Sequence, residues 1–332
     1  MPHFSEFVWW QGVVEDVNDP LKLGRCRGRI IGFHSEHKSD IPTQDLPWAQ
    51  PIQPIVSAAV SGIGISPTGI LPGTWVFGFF MDGSKAQLPI IFGSIAGIPS
   101  NPSVPSKGFN DPSGTYPLET HLNESDVSRL ARNENIDTTI VATKKESVET
   151  DIVSALGEEW WKEPVTPYNA EYPKNKVLAT ESGHVEEFDD TPGAERIHRY
   201  HKAGTFEEIH PDGSKVTKVV GSNYTITIGN TKALTKGTHT TNIESDSNTK
   251  INENCNVEIE GNVNLYIKGN VTLECDGNMD HQVAGTYTVV SKGNMTFLAP
   301  RIDLNPNGYS PSDVNDPISP AIPTYDSQGN RT

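Results

Sequence analysis

The side chains best suited to chemistry fall together between residues 181 and 210: Glu181, His184, Asp190, His198, His201 and His210. Imidazoles at this density are the raw material of a metal site, and paired carboxyl groups are the minimum for cleaving a glycosidic bond. The pattern favours neither use. The histidines lie in alternating segments, "SGHVEEF", "ERIHRYH" and "TFEEIH", with no cysteine beside them, so hydrogen-bonded strand histidines are expected. Glu181 and Asp190 sit in the same β-like stretch, not on a scaffold that flanks a sugar ring. Cys26, Cys255 and Cys275 are scattered and odd in number, which fits a reducing compartment and no disulfide framework or zinc cluster. The glycosylation-like triplets at Asn223, Asn270 and Asn294 are expected by chance in a sequence rich in Gly-Asn turns. No catalytic residue and no cofactor is expected.

The elements that hold these groups follow from composition. A chain of 332 residues, 35% hydrophobic, supports two or three domains, and 29 glycines with 25 prolines argue against a large helical core. The net charge of −16 repels nucleic-acid phosphates and anionic lipid headgroups. No run of about 18 apolar residues is present, and "MPHFSEFVWWQG" does not read as a secretory signal.

Residues 1–98 read as four or five short strands around "FVWWQGVV", "CRGRIIGFH", "TWVFGFFM" and "LPIIFGSI", enough for a small closed barrel. Its aromatic load exceeds what such a barrel encloses, so Trp9, Trp10 and Trp48 are divided between core and partner contact. Residues 99–172 are a connector. "GIPSNPSVPSKGFNDPSGTYP" has little ability to pack, "ESDVSRLARNE" predicts a short helix capped by Ser125 or Asn123, and "SVETDIVSALGEEWW" a second ended by Gly157. Residues 173–220 are β-like, with turns at Thr191-Pro192-Gly193 and Pro211-Asp212-Gly213.

From residue 213 a period of eight takes over. Glycine stands at Gly213, Gly221, Gly229, Gly237, Gly261, Gly269, Gly277, Gly285 and Gly293, with Ser245 and Glu253 filling the two remaining places. Asn often follows, and Gly-Asn is a tight-turn pair in which glycine supplies a positive φ. Between turns, odd positions are apolar: Val257, Ile259, Val263, Leu265, Ile267, Val271, Leu273, Met279, Val283, Val289, Met295 and Phe297, with Cys255, Cys275 and His281 on the same side. Each repeat is thus one short strand and one corner. A strand this short cannot bury its apolar face alone. Either one chain coils as a solenoid, or three chains interwind as a prism roughly 50 Å long at ~4.8 Å per strand. Three chains are favoured, because they leave no strand without a neighbour. Tyr224, Ile226 and Ile228 break the parity, so an irregular start to the rod is expected over 221–245.

The blocks "VNDPLKLGRCRGRIIGFH", "IPTQDLPWAQP", "SGIGISPTGILPGTWVFGFFMDG" and "PIIFGSIAGIP" resemble the OB-fold domain of the central spike proteins of contractile-tail bacteriophages. Residues 182–221 are similar to the matching segment of those spikes and of the VgrG proteins of type VI secretion, and the octad repeat to their trimeric β-helical needle. "NESDVSRLARNENIDTTIVATKK" is similar to the spike connector. The resemblance implies an all-β homotrimer: OB-fold barrel 1–98, connector 99–172, β transition segment 173–220, intertwined triple-stranded β-helix 221–300, and a tip extension 301–332. It implies a virion tail baseplate protein, assembled in the host cytoplasm. Such a protein docks on a trimeric tail hub and is driven through the host outer membrane during contraction, with a tip-capping protein as a further partner and no nucleic acid. In a trimer, three copies of His281 would approach the axis, the one candidate for an axial ion. Some spikes carry an inserted lysozyme domain. Here the interval 99–172 is too short for one, which needs about 150 residues. The rival readings are a spike that retains peptidoglycan-hydrolase activity and a monomeric β-solenoid adhesin.

Overall fold

The computed structural model describes residues 7–110, 117–134, 149–154 and 157–302. The chain divides into two compact units, residues 1–251 and 252–332. The first begins with a closed five-stranded barrel: β1 (Trp9–Asp16), β2 (Cys26–Ile30), β3 (Trp48–Pro51), β4 (Trp75–Phe80) and β5 (Pro89–Ser94), in the order β1-β2-β3-β5-β4. All pairings are antiparallel except β3 with β5. Alternation drives the closure. Along β4, Val76, Gly78 and Phe80 point inward while Trp75 points out. Trp10, Val14, Cys26, Ile30, Ala49, Val76, Phe80 and Ile91 form the core. Gly78 is required by contact, since a Cβ there would lie 2.0 Å from the Ile90 carbonyl oxygen and 2.5 Å from the Trp10 ring.

The barrel also buries an ion pair. Arg29 donates to Glu15 at 2.5 and 3.2 Å and to the Ser35 and Ile41 carbonyls at 2.6 Å, and Thr43 Oγ1 donates to Glu15 Oε2 at 2.6 Å. With partners this complete, the desolvation cost of two buried charges is offset. The connector closes the pair off. Gly108 lies so near that a Cβ there would stand 1.8 Å from Arg29 Nε, and its N–H donates to the Glu36 carbonyl at 2.8 Å. The described part of the Pro/Gly/Ser segment, up to residue 110, therefore packs where the sequence predicted a loose linker.

Downstream, α1 (Arg129–Arg132) is a single turn that buries Leu130 and Ala131. Its N-cap is Ser128, not Ser125 or Asn123. The second expected helix is a hairpin instead: β6 (Glu149–Ser154) pairs antiparallel with β7 (Gly157–Lys162). Thr150, Ile152 and Val153 are β-branched and favour the extended form. Gly157 opens a strand rather than ending a helix.

Residues 173–220 form a five-stranded antiparallel meander: β8 (Asn175–Ala179), β9 (Val185–Asp189), β10 (Arg196–Tyr200), β11 (Phe206–Ile209) and β12 (Lys215–Lys218). Gly213 belongs to the β11–β12 turn with φ +82°, so it is a hairpin glycine and not the first of the repeat. One sheet face is covered by Leu130 and the segment around Tyr168, and Val185, Tyr200 and Phe206 pack there.

After β12 the first unit continues as extended chain with bends at 220–221, 228–229, 236–237 and 244–245. The expected irregularity over 221–245 is absent from the backbone: the bends keep the period of eight, Ser245 included. In the second unit, bends recur at 252–253, 260–261, 268–269, 276–277, 284–285 and 292–293, with exposed side chains between them. Among the described residues of either stretch no strand ladder forms, so no repeat stacks on another of its own chain. The tip extension beyond 302 lies outside the described residues.

Candidate functional site

The suspected chemical residues are brought together only in part. On the covered face of the second sheet, Glu187 accepts from Arg196 Nη2 at 2.6 Å, from Asn175 Nδ2 at 3.0 Å, and pairs with His198 Nδ1 at 2.6 Å. Arg196 Nη1 donates to Glu208 Oε2 at 3.0 Å, and His210 Nε2 lies 3.2 Å from Glu208 Oε1. Tyr168 lies over the Arg196 guanidinium at 4.8 Å and donates its hydroxyl to the Leu130 carbonyl at 2.8 Å. Burial raises the Glu187 carboxyl, but the His198 bond, the Arg196 charge and the Asn175 bond together hold it below its ordinary value. Burial pushes the Tyr168 hydroxyl up to about 12. This is a sealed ionic network: the Glu187, Arg196, His198 and Glu208 side chains are at most 2% exposed.

The other histidines are elsewhere: the His184 and His201 rings lie 4.6 Å apart. Among the described residues no group of three or more His, Cys, Asp or Glu side chains is placed to hold a metal. Glu181 and Asp190 lie beyond opposite ends of the β8–β9 pair, about 17 Å apart along five-residue strands, well beyond the spacing of a glycosidase pair. Asp190 accepts from Lys176 Nζ at 2.7 Å. Cys26 is enclosed in the barrel and its thiol is pushed up to about 12, so it is a small hydrophobe.

The three tryptophans separate. Trp10 is 3% exposed and belongs to the core, because β1 turns it inward. Trp48 lies beneath the Arg25 and Arg27 guanidinium groups, 5.5 and 4.5 Å away. Trp9 stays half exposed and stacks on Phe77 at 4.8 Å and 9°, with Phe7, Phe79 and Phe92 extending the patch across β1, β4 and β5.

A second apolar surface is not obvious in the strand pattern. The β3–β4 connection exposes Ile55, Val56, Val60, Ile63 and Ile65, each more than 60% accessible. It is braced, since Ser57 donates to the Pro54 and Ile65 carbonyls at 2.8 and 3.3 Å. No Asp, Glu, Lys, Arg or His occurs between Asp45 and Asp82. That charge-free run was the available signal. On the open face of the meander, Phe188, Ile197 and Ile209 stand opposite one another across three strands.

The repeat glycines carry no structural need of their own chain. None of those from Gly221 to Gly293 has a positive φ, and a Cβ added at any of them would meet nothing within 4 Å. The needle residues Val257, Ile259, Val263, Leu265, Ile267, Val271, Leu273, Met279, Val283, Val289, Met295 and Phe297 are all exposed in the single chain, by 42–80%. His281 lies 6.4 Å from the Tyr287 ring, both on that same side of the repeat.

Residues 32–175 match the Gp5 N-terminal OB domain family, a span that begins just after β2 and runs through the connector to the start of β8. Protein Gp5 of Vibrio phage KVP40 is 46% identical over 248 residues, covering 65% of this chain and 58% of that protein. The pre-baseplate central spike protein Gp5 of Enterobacteria phage T4 is 42% identical over 149 residues, covering 40% of this chain and 26% of that protein. The chain thus spans little more than half the length of the first of these relatives and about a quarter of the second.

Proposed function

We propose that this relative of the central spike proteins of contractile-tail bacteriophages is itself a baseplate central spike, a homotrimer whose repeat forms an intertwined β-helical needle. The observation that carries the reading is the glycine at the corners. Eight glycines from Gly221 to Gly293 keep a period of eight, yet neither φ nor contact within the chain calls for them. A missing Cβ is useful where another backbone passes close, and here that backbone belongs to a neighbouring copy. The same step supplies what the lone chain lacks: ladder partners for an extended backbone and cover for the apolar side chains. At about 1.5–3 kcal/mol for each Val, Leu, Ile or Met fully buried, the stripe is sufficient to hold three chains together. The open row Phe188, Ile197 and Ile209 offers a neighbouring copy a further apolar face to cover.

The work is mechanical. A closed, interlocked prism resists compression when sheath contraction drives it into the host envelope. The aromatic patch around Trp9 and the braced loop carrying Ile55 and Ile63 dock the barrel on the hub, a protein surface rather than nucleic acid, since the loop is uncharged and the chain strongly acidic. The sealed Glu187–Arg196–Glu208 network serves the fold and not hydrolysis. Light scattering of the purified chain tests the reading: a mass three times 36.2 kDa is expected. A stable monomer at micromolar concentration overturns it, and a clearing zone on a peptidoglycan gel overturns the non-enzymatic part.

A further inference from the structure

The apolar stripe changes side at the start of the repeat, and the bends do not. After Gly261 the places two, four and six residues on are Val263, Leu265 and Ile267. After Gly221 they are Asn223, Thr225 and Thr227, and the apolar residues are Tyr224, Ile226 and Ile228. Exposure follows the switch. Ile243, Ile251, Ile259 and Ile267, each six places past its corner, are 45–54% exposed, and the rest of the odd stripe reaches 80% at Leu265. Tyr224, Ile226 and Ile228, on the other parity, are 84–101% exposed. The first repeat therefore shows its apolar side to the outside, on a strand too short to be left that way without cover.

We propose that this outer ladder is covered by the β6–β7 hairpin of the next copy, centred on Trp161, forming a clasp at the neck of the needle. The inference rests on the three-chain reading above. Three observations select the occupant. The hairpin pairs with no other strand among the described residues, and a lone two-stranded sheet is marginal in water, so it needs a surface to lie on. Its root is at the neck: Lys218 Nζ, at the end of β12, donates to Glu163 Oε2 at 2.9 Å, one residue past β7. Trp161, two residues from that root, is 44% exposed.

The path of the chain decides between its own hairpin and a neighbour's. Its own hairpin leaves the ladder bare. In a three-chain prism a repeat climbs only about 5 Å, while its strand of seven residues travels about 23 Å sideways. Residues 224–228 are thus carried off their own β12 and onto the adjoining face, beside the Glu163–Lys218 root of the next copy.

The test uses the full chain with Cys255→Ala and Cys275→Ala, Cys26 being enclosed. Trp161→Cys and Ile226→Cys are added together and treated with a short bis-maleimide. Species of two and three chains on a denaturing gel are expected, and either single-cysteine variant should give none. Cross-linking confined to one chain overturns the proposal. So does absent cross-linking while light scattering still reports three chains. A monomer by light scattering overturns the three-chain reading, and the clasp with it. Independently, Ile226→Asp with Ile228→Asp should leave three chains but speed tryptic cleavage at Lys162 by about tenfold as the hairpin is released. An unchanged cleavage rate with three chains retained overturns the clasp.

Discussion

His198 Nδ1 lies 2.6 Å from Glu187 Oε2, with both side chains wholly buried, and this contact joins β10 to β9 beneath the connector. Glu187 also receives Arg196 and Asn175, and Asn175 reaches the Leu130 carbonyl at 3.1 Å. The ionic cluster is therefore the rivet between the connector turn and the meander.

Replacing Glu187 leaves the Arg196 guanidinium buried with one carboxylate fewer. Glu187→Gln should cost about 3–5 kcal/mol, because Arg196 and His198 lose their shared carboxylate. Chemical denaturation at pH 7 measures this. A loss under 1 kcal/mol shows that the cluster does not fasten the sheet.

The same residue sets an acid limit. Its folded carboxyl is held below its ordinary value, so the stability it contributes is full above the unfolded carboxylate range near pH 4.5 and is lost as pH falls through the lower, folded value. Wild-type stability should fall steadily below about pH 4.5, and Glu187→Gln should show a smaller fall over that window. Parallel slopes for the two proteins exclude Glu187 as a source of acid sensitivity.

Gly108 should not tolerate a side chain. Gly108→Ala forces the connector off Arg29 and Glu15, and overpacking at such a site costs about 1–3 kcal/mol. Thermal melting of the barrel checks it, and an unchanged midpoint shows that the connector yields freely there.

Trp9 and Trp10 should part company. Trp10→Ala leaves a cavity in the barrel and costs about 3–5 kcal/mol. Trp9→Ala, with Ile55→Ser, should leave melting within about 0.5 kcal/mol and weaken the docking proposed above, read as a pull-down with a trimeric tail hub protein. Full docking by the folded double variant removes this surface from the interface.

Parity in the needle can be read by charge. If three chains interwind as proposed, Leu265→Asp places three carboxylates on the inner stripe and should abolish the three-chain mass in light scattering, whereas Asn264→Asp, on the opposite side, should leave it intact. Equal behaviour of the two means that the inner side has been misassigned.

Much of this architecture was legible in the residues alone. Period two along "TWVFGFFM" and "ERIHRYH" marked barrel and meander strands, and the octad marked every bend from 220–221 to 292–293, even where Ser245 and Glu253 replace glycine. Such patterns are local: a strand needs only alternation, and a corner only its spacing. What tertiary structure decided was which side meets which surface. "SVETDIVSALGEEWW" reads as a helix, yet Glu149–Ser154 forms a strand, because pairing with β7 outweighs a weak helical preference. Gly213 keeps the octad count but closes a hairpin, since β12 returns beside β11. Trp9 and Trp10 are alike in sequence, and only barrel closure turns one in and leaves the other out. The ion network around Glu187 draws on residues from Leu130 to Glu208, and no local spacing announces a contact made across so much chain.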